Sequence, residues 1–301
     1  MILFCLLATA LAAGPDFDAR WDYSDPAATE VSFRALRPEL AEAGDQDALL
    51  QLDTQIARAL GLQAKFEAAH ALLDGVEKQL TDKTRTARIR YLLERGRLYN
   101  SSGDKRAAVR PLAQAWKHAR AWGLDGHAVD AGQMFAIVEG GSNGHAWNQR
   151  TLEFAAASDD PAARRWLGSL YNNIGWDHHA VGQYELALAA FSKSVEARQE
   201  AGKPERLRVA RWTVARALRS LQRCQEALPM LEGLRTEWAE AGKPSGYVYE
   251  DLAECHLALG KPSQARALFE RAHQMLSVDA WFVKNEPERL ARLKQLATLK
   301  E

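Results

Sequence analysis

The residues best equipped for chemistry are few and scattered. Asp177-His178-His179 would offer a carboxylate and two imidazoles to a metal ion. Successive residues of a helix point about 100° apart, so the two rings cannot share one ion without a further ligand. A histidine pair closing a helix fits the run better. Phosphate-cradling glycine loops, the G-x-S-x-G elbow, the dinucleotide fingerprint and H-E-x-x-H are all absent from the sequence. Three Cys are too few for a disulfide scaffold or a four-cysteine zinc site. No cofactor and no metal is expected, and the chain reads as a non-enzyme. What remains is recognition chemistry. The carboxamides of Asn172 and Asn173 donate and accept at once and suit a peptide backbone. Arg97, Arg216 and Arg219 can fork onto a carboxylate. Trp176 and Trp212 are flat anchors that lose little entropy on binding.

The balance of charge narrows the partners. Thirty-nine Lys and Arg cancel 39 Asp and Glu, so no basic excess points to nucleic acid or an anionic lipid surface. An apolar fraction of 47% with 26% charged residues excludes a collagen-like, mucin-like or mostly disordered chain. Residues 1–13, MILFCLLATALAA, carry no charge. They span about 20 Å as a helix, short of a bilayer core of about 30 Å. Ala10-Leu11-Ala12 matches a cleavage signal, so the stretch reads as a secretory signal peptide and the protein as exported, periplasmic or secreted. It lacks the usual basic residue before the apolar run, which leaves a cytoplasmic chain with an apolar tail as the alternative. No other stretch is apolar enough to span a membrane.

The elements that position these residues come from an internal repeat. Glu200-Ala201-Gly202-Lys203-Pro204 recurs as Glu240-Ala241-Gly242-Lys243-Pro244, and Gly followed by Pro is how a helix is stopped. Aligned on these stops, a small residue precedes a turn residue by seven, then come an Ala and a large apolar residue. Gly175, Gly182, Ala187 and Phe191 show it, as do Gly96, Gly103, Ala108 and Leu112, and Ala253, Gly260, Ala265 and Phe269. Weaker copies are Ala57, Ala64, Ala69, Leu73 and Ala215, Gln222, Ala227, Leu231. In Met134, Gly141, Ala146 the large position is lost to Arg150. The alanines lie 39, 38, 41, 40 and 38 residues apart. Small residues let two helices cross at about 8–9 Å. The weakly helical run Glu139–Gly144 falls where the third turn belongs. Residues 14–30 read as an extended segment whose Phe17, Trp21 and Tyr23 pack on the first helices. Glu286–Leu299 reads as an amphipathic helix with Leu290, Leu293, Leu296 and Leu299 on one face, a cap for the open end.

These residues resemble the tetratricopeptide repeat family, in a long-helix bacterial form with a period of about 39 rather than 34. The resemblance implies an all-α fold: a right-handed superhelical solenoid of about six antiparallel helix pairs over residues 45–278. An N-terminal segment and leading helix (14–44) precede it and a capping helix (279–301) follows. It also implies that the first helix of each pair, helix A, lines a concave groove that holds a protein or peptide. Its groove register marks Arg97 and Asn100 in the second repeat, with Arg90 and Glu94 beside them. In the fourth it marks Ser169, Asn172, Asn173, Trp176 and His179. The fifth supplies Trp212, Arg216 and Arg219, and the sixth Tyr247, Glu250 and Glu254. The first adds Gln51, Gln55 and Arg58. The charge-clamp set of chaperone-binding members has no counterpart here. Glu94 and Glu254 lie four repeats apart, too far to act as a paired acid and base.

Cys224 begins helix B of the fifth repeat and Cys255 lies near the end of helix A of the sixth, so antiparallel neighbours bring them close. In an oxidising compartment a disulfide between them would stabilise by about 3–4 kcal/mol; two buried thiols are the alternative. The leading reading is thus a binding module. The runner-up is a self-associating scaffold or a regulatory, ligand-sensing protein in the cytoplasm.

Overall fold

A computed structural model describes residues 16–200 and 202–298. The expected signal peptide (1–13) and Leu299 lie outside the described residues. The described residues form helices joined by short turns, and they divide into two compact units, one up to Trp147 and one from Asn148 on.

In the first unit a 3-10 turn at Asp18–Arg20 leads into α1 (Pro26–Glu42), α2 (Gln46–Leu62), α3 (Phe66–Glu77), α4 (Arg85–Ser101), α5 (Lys105–Ala121) and α6 (Asp125–Glu139). Helix α7 (Gly141–Ala157) carries the chain into the second unit. There follow a single turn α8 (Pro161–Arg164), α9 (Leu167–Ala180), α10 (Tyr184–Glu200), α11 (Pro204–Ser220), α12 (Cys224–Glu240), α13 (Gly246–Ala258), α14 (Pro262–Leu276), α15 (Ala280–Asn285) and α16 (Pro287–Leu296). Within each unit, successive helices pack as hairpins, and each A helix also touches the A helix of the next repeat, as α2 does α4 and α11 does α13.

The helices start and stop for local reasons. Asp25, Asp45, Asp104, Asp160 and Asp279 each accept a hydrogen bond from a first-turn N–H. Pro26, Pro161, Pro204, Pro262 and Pro287 sit in the first turn, where their missing N–H costs nothing. The turns inside the repeats use a left-handed residue: Gly103, Gly182 and Gly260, but also Ala64 (φ 58°) and Gln222 (φ 61°). Those two carry a strain that glycine avoids. Gln222 is exposed, so Gln222→Gly should stabilise the second unit by about 0.5–1 kcal/mol, the relief of strain exceeding the entropy glycine adds to the unfolded chain. A rise in urea midpoint checks this; an unchanged or lower midpoint contradicts it.

The repeat pattern has a direct structural meaning. A Cβ on Gly96 would lie 2.6 Å from Leu112, and one on Gly175 would collide with the ring of Phe191. In these repeats the small and large positions are therefore two sides of one contact between A and B helices. Ala187, Phe191, Ala215, Ala227 and Leu231 form one core, and Ala253, Ala265 and Phe269 another, all of them inaccessible to solvent.

Three expectations need correction. The N-terminal segment is not extended throughout, since Asp18–Arg20 form a 3-10 turn, and it ends at Asp25, not residue 30, because Asp25 and Pro26 together start a helix there. The third turn is Gly140 and Gly141, both with positive φ; Ser142–Gly144 lie in the first turn of α7, where a Cβ on Gly144 would lie 2.6 Å from the carbonyl oxygen of Ala136. The end of the chain is two helices, not one. Asp279 caps the short α15, whose Phe282 is fully buried, and Leu293 of α16 lies in the same core with Leu290 and Leu296 against it.

Candidate functional site

The register places the candidate residues on the A helices: α4 in the first unit, and α9, α11 and α13 in the second. In the first unit they form an ionic cluster. Arg97 of α4 pairs with Glu94 at 2.5 Å and with Asp130 of α6, and Arg58 of α2 lies 3.8 Å from Glu94. Burial disfavours the charge on Arg97, but Asp130 and Glu94 outweigh it and raise its pKa. Burial likewise pushes Asp130 up, and the charges of Arg97 and Arg58 more than reverse the effect, leaving it below the usual range. Asn100 lies half-buried in the last turn of α4, its carbonyl accepting from Gly103.

In the second unit the candidates form one aromatic and ionic ladder. Trp176 of α9 stands 5.3 Å from His179 edge-on, 5.9 Å from Trp212 of α11 and 5.2 Å from Phe191 beneath it. Trp212 is followed by Tyr247 of α13 at 5.6 Å and Tyr247 by Phe282 of α15 at 5.8 Å. Asp251, fully buried, ties the rungs together. It accepts from the Trp212 indole at 2.7 Å and from Arg216 at 2.9 Å, and pairs with Arg219 at 3.0 Å. Burial pushes its carboxyl up, with Arg216 and Arg219 pulling against it. Glu250 receives Arg216 at 3.3 Å and both arms of Arg289 from α16; Glu254 receives Arg292. Burial raises Glu250, and the hydrogen bonds from Arg289 with the charge of Arg216 overcome this and lower it.

These pairings change the role of several candidates. Arg97, Arg216 and Arg219 fork onto carboxylates of this chain, rather than waiting for one from a ligand. Glu250 and Glu254 hold the C-terminal cap. Their partners Asp130, Asp251, Arg289 and Arg292 were missed by sequence reading, although Asp251 holds in its repeat the register position that Asn173 holds in the fourth. The histidines diverge: His178 bonds to Gln183 at 2.7 Å and His179 to Ser220 of α11 at 2.9 Å. Burial lowers His179, helped by Arg216 and Arg219. Among the described residues no group of three His, Cys, Asp or Glu could hold a metal ion, and no helix is long and apolar enough to cross a membrane. Cys224 and Cys255 are side by side as free buried thiols, and burial with the Cys224 contact pushes Cys255 up.

What the network leaves open is the face around α9. Ser169, Asn172, Asn173 and Trp176 are each half-buried, and the side-chain oxygen of Asn172 is buried without a hydrogen-bond donor.

Comparison with known proteins agrees with this architecture. A tetratricopeptide repeat family model matches residues 166–235, which cover α9 to α11 and most of α12. No curated protein sequence matches the chain. Among solved structures, a signal transduction ATPase with a tetratricopeptide repeat sensor from Pyrococcus horikoshii superimposes with a TM-score of 0.68 at 16% identity, over 88% of this chain and 43% of that one. The present chain therefore spans less than half of that protein. A tetratricopeptide repeat protein from Parabacteroides merdae gives 0.51 at 14% identity, over 94% and 96% of the two chains. NprR, solved in complex with its cognate peptide NprX, gives 0.53 at 15% identity, over 89% and 78%. At such identities the likeness is one of fold. Residues 166–235 thus match the tetratricopeptide repeat family, and the small-against-large contact that recurs from α4–α5 to α9–α10 shows the same helix-pair fold before that stretch as within it.

Proposed function

We propose that the chain is a non-enzymatic module that holds a protein or peptide segment against its A helices, with the face of α9 as the contact surface. The observation carrying this reading is the unmet acceptor of Asn172. A buried polar atom without a partner is costly, and a backbone N–H of an extended segment would satisfy it. Trp176, half-exposed one turn away, supplies an anchor of the kind that dominates binding energy. That NprR, of the same fold, was solved with a peptide supports the reading by analogy. The test is co-purification from the native host with the wild-type chain and with Trp176→Ala plus Asn172→Ala. Loss of the specific partner by about tenfold or more is expected, as for a central anchor; an unchanged partner overturns the assignment. Export is part of the proposal: an intact mass starting at Ala13 or Gly14 supports it, and one retaining Met1 overturns it.

A second reading, self-association, has one observation in its favour. Val278, Trp281 and Val283 are 83%, 59% and 44% exposed at the C-terminal end. A mass that rises with concentration, and ceases to do so in Trp281→Ser, would support it.

A further inference from the structure

We propose that residues 16–23 are an internal ligand of the first unit. On this view the A-helix face of α2 and α4 accepts in trans a short peptide with an acidic residue set among aromatic ones. The inference rests on the reading of the A helices as a binding surface and names the ligand class for the unit where that surface is filled.

Four side chains of the segment each meet a groove position. Asp18 receives Arg90 of α4 at 3.4 Å. The Trp21 indole donates to Gln55 of α2 at 3.0 Å. Trp21 and Tyr23 stack at 4.9 Å with an interplanar angle of 8°, and the Arg58 guanidinium lies 5.2 Å and 5.4 Å from the two rings. Phe17 is fully buried under Arg90 and edge-on to Phe33 of α1. Gln51, the remaining groove residue of α2, accepts from Arg90 at 3.2 Å and so aims it at Asp18. Every groove residue of the first repeat is thus engaged, directly or through one neighbour, by the chain's own N-terminal segment.

The manner of contact separates a ligand from a core. Phe17 is an anchor. Trp21 is only half-buried and Tyr23 is 55% exposed; one hydrogen bond to Gln55 and an edge contact with Phe33 hold Trp21, and stacking with the shared Arg58 cation holds Tyr23. Such contacts are worth about 0.5–1 kcal/mol each at exposed sites, so the outer half of the segment can exchange with a competitor. A tethered ligand acts at an effective concentration on the order of mM. A free peptide of equal affinity is therefore excluded until the tether's own aromatics are removed.

The experiment uses the full chain and a synthetic peptide of residues Asp16–Asp25 carrying a fluorophore. Binding is measured by anisotropy to the wild type, to Tyr23→Ala, to Trp21→Ala plus Tyr23→Ala, and to the last with Arg58→Ala added. The expected series is weak binding to the wild type, at least about tenfold tighter binding once both aromatics are gone, and loss of that gain without Arg58. Equal binding to the wild type and the aromatic variants overturns the proposal, as does a gain that survives Arg58→Ala. Amide exchange of residues 21–25 in the wild type, which needs no variant to fold, gives a second readout. Excess peptide should speed it; unaltered exchange at mM peptide overturns the proposal. Failure here leaves the α9 test untouched, since Trp176→Ala plus Asn172→Ala reads a different unit. Failure of that test with success here would confine binding to the first unit.

Discussion

Asp251→Ala is expected to cost the second unit about 3–5 kcal/mol, the range for removing one partner from a buried charge network. Asp251 has no solvent exposure and is approached by the Trp212 indole, Arg216 and Arg219. Without it, Arg216, itself 7% exposed, keeps only Glu250, and an indole N–H loses its acceptor. Asp251→Asn keeps an acceptor for Trp212 and should lose less. Chemical denaturation gives both numbers; a loss below about 1 kcal/mol for the alanine would mean that desolvation already cancels the attraction. The network also sets an acid limit. The Glu250 carboxyl is held below its ordinary 4.5. Its contribution is present above that value and disappears as pH falls through the depressed folded value. Glu250→Gln should flatten the dependence of stability on pH in that window.

The second large effect concerns a contact that the repeat encodes. Gly175→Ala places a methyl against Phe191, a ring with no solvent exposure that also touches Trp176. Overpacking of this kind costs about 1–3 kcal/mol, against about 1 kcal/mol gained from the better helix former. The expected net is a loss of up to about 2 kcal/mol. In a Phe191→Leu background the same substitution should be neutral or stabilising, a coupling of about 1 kcal/mol or more. Gly75→Ala supplies the contrast: Gly75 is helical and its Cβ would meet nothing within 4 Å, so alanine there should stabilise. Additivity between positions 175 and 191 would show that the small residue is not there to admit the large one.

The helix pairs were legible because each rests on a contact between residues sixteen apart in one hairpin, such as Gly96 with Leu112 or Gly175 with Phe191. A constraint of that range leaves a mark in one sequence. It even identified Ala64 and Gln222 as turn residues where glycine is missing, since register outweighs the local cue. The site was less legible. Whether Arg216 reaches a ligand or Asp251 depends on an acid 35 residues away, on another helix. The side chains alone allow both. Helix α15 escaped notice because its six residues are too few to show a period. The N-terminal aromatics announced that they pack on the first helices, as Phe17 and Trp21 do on Phe33. That Asp18 and Trp21 would reach Arg90 and Gln55 of the groove could not be read from residue types alone.

The ladder on the second unit's A helices also makes that surface an optical instrument. Two indoles 5.9 Å apart and inclined at 44° couple their transition dipoles, which gives the unliganded face a chiral near-ultraviolet signature. The Arg216 cation lies 5.2 Å from the Trp212 ring, so the emission of that indole follows the local field. A segment that settled on Asn172 would lie one helical turn from Trp176, and a change in either signal would report it. Occupancy of this protein can therefore be titrated by its native absorbance and fluorescence, with no label and before the occupant has been identified.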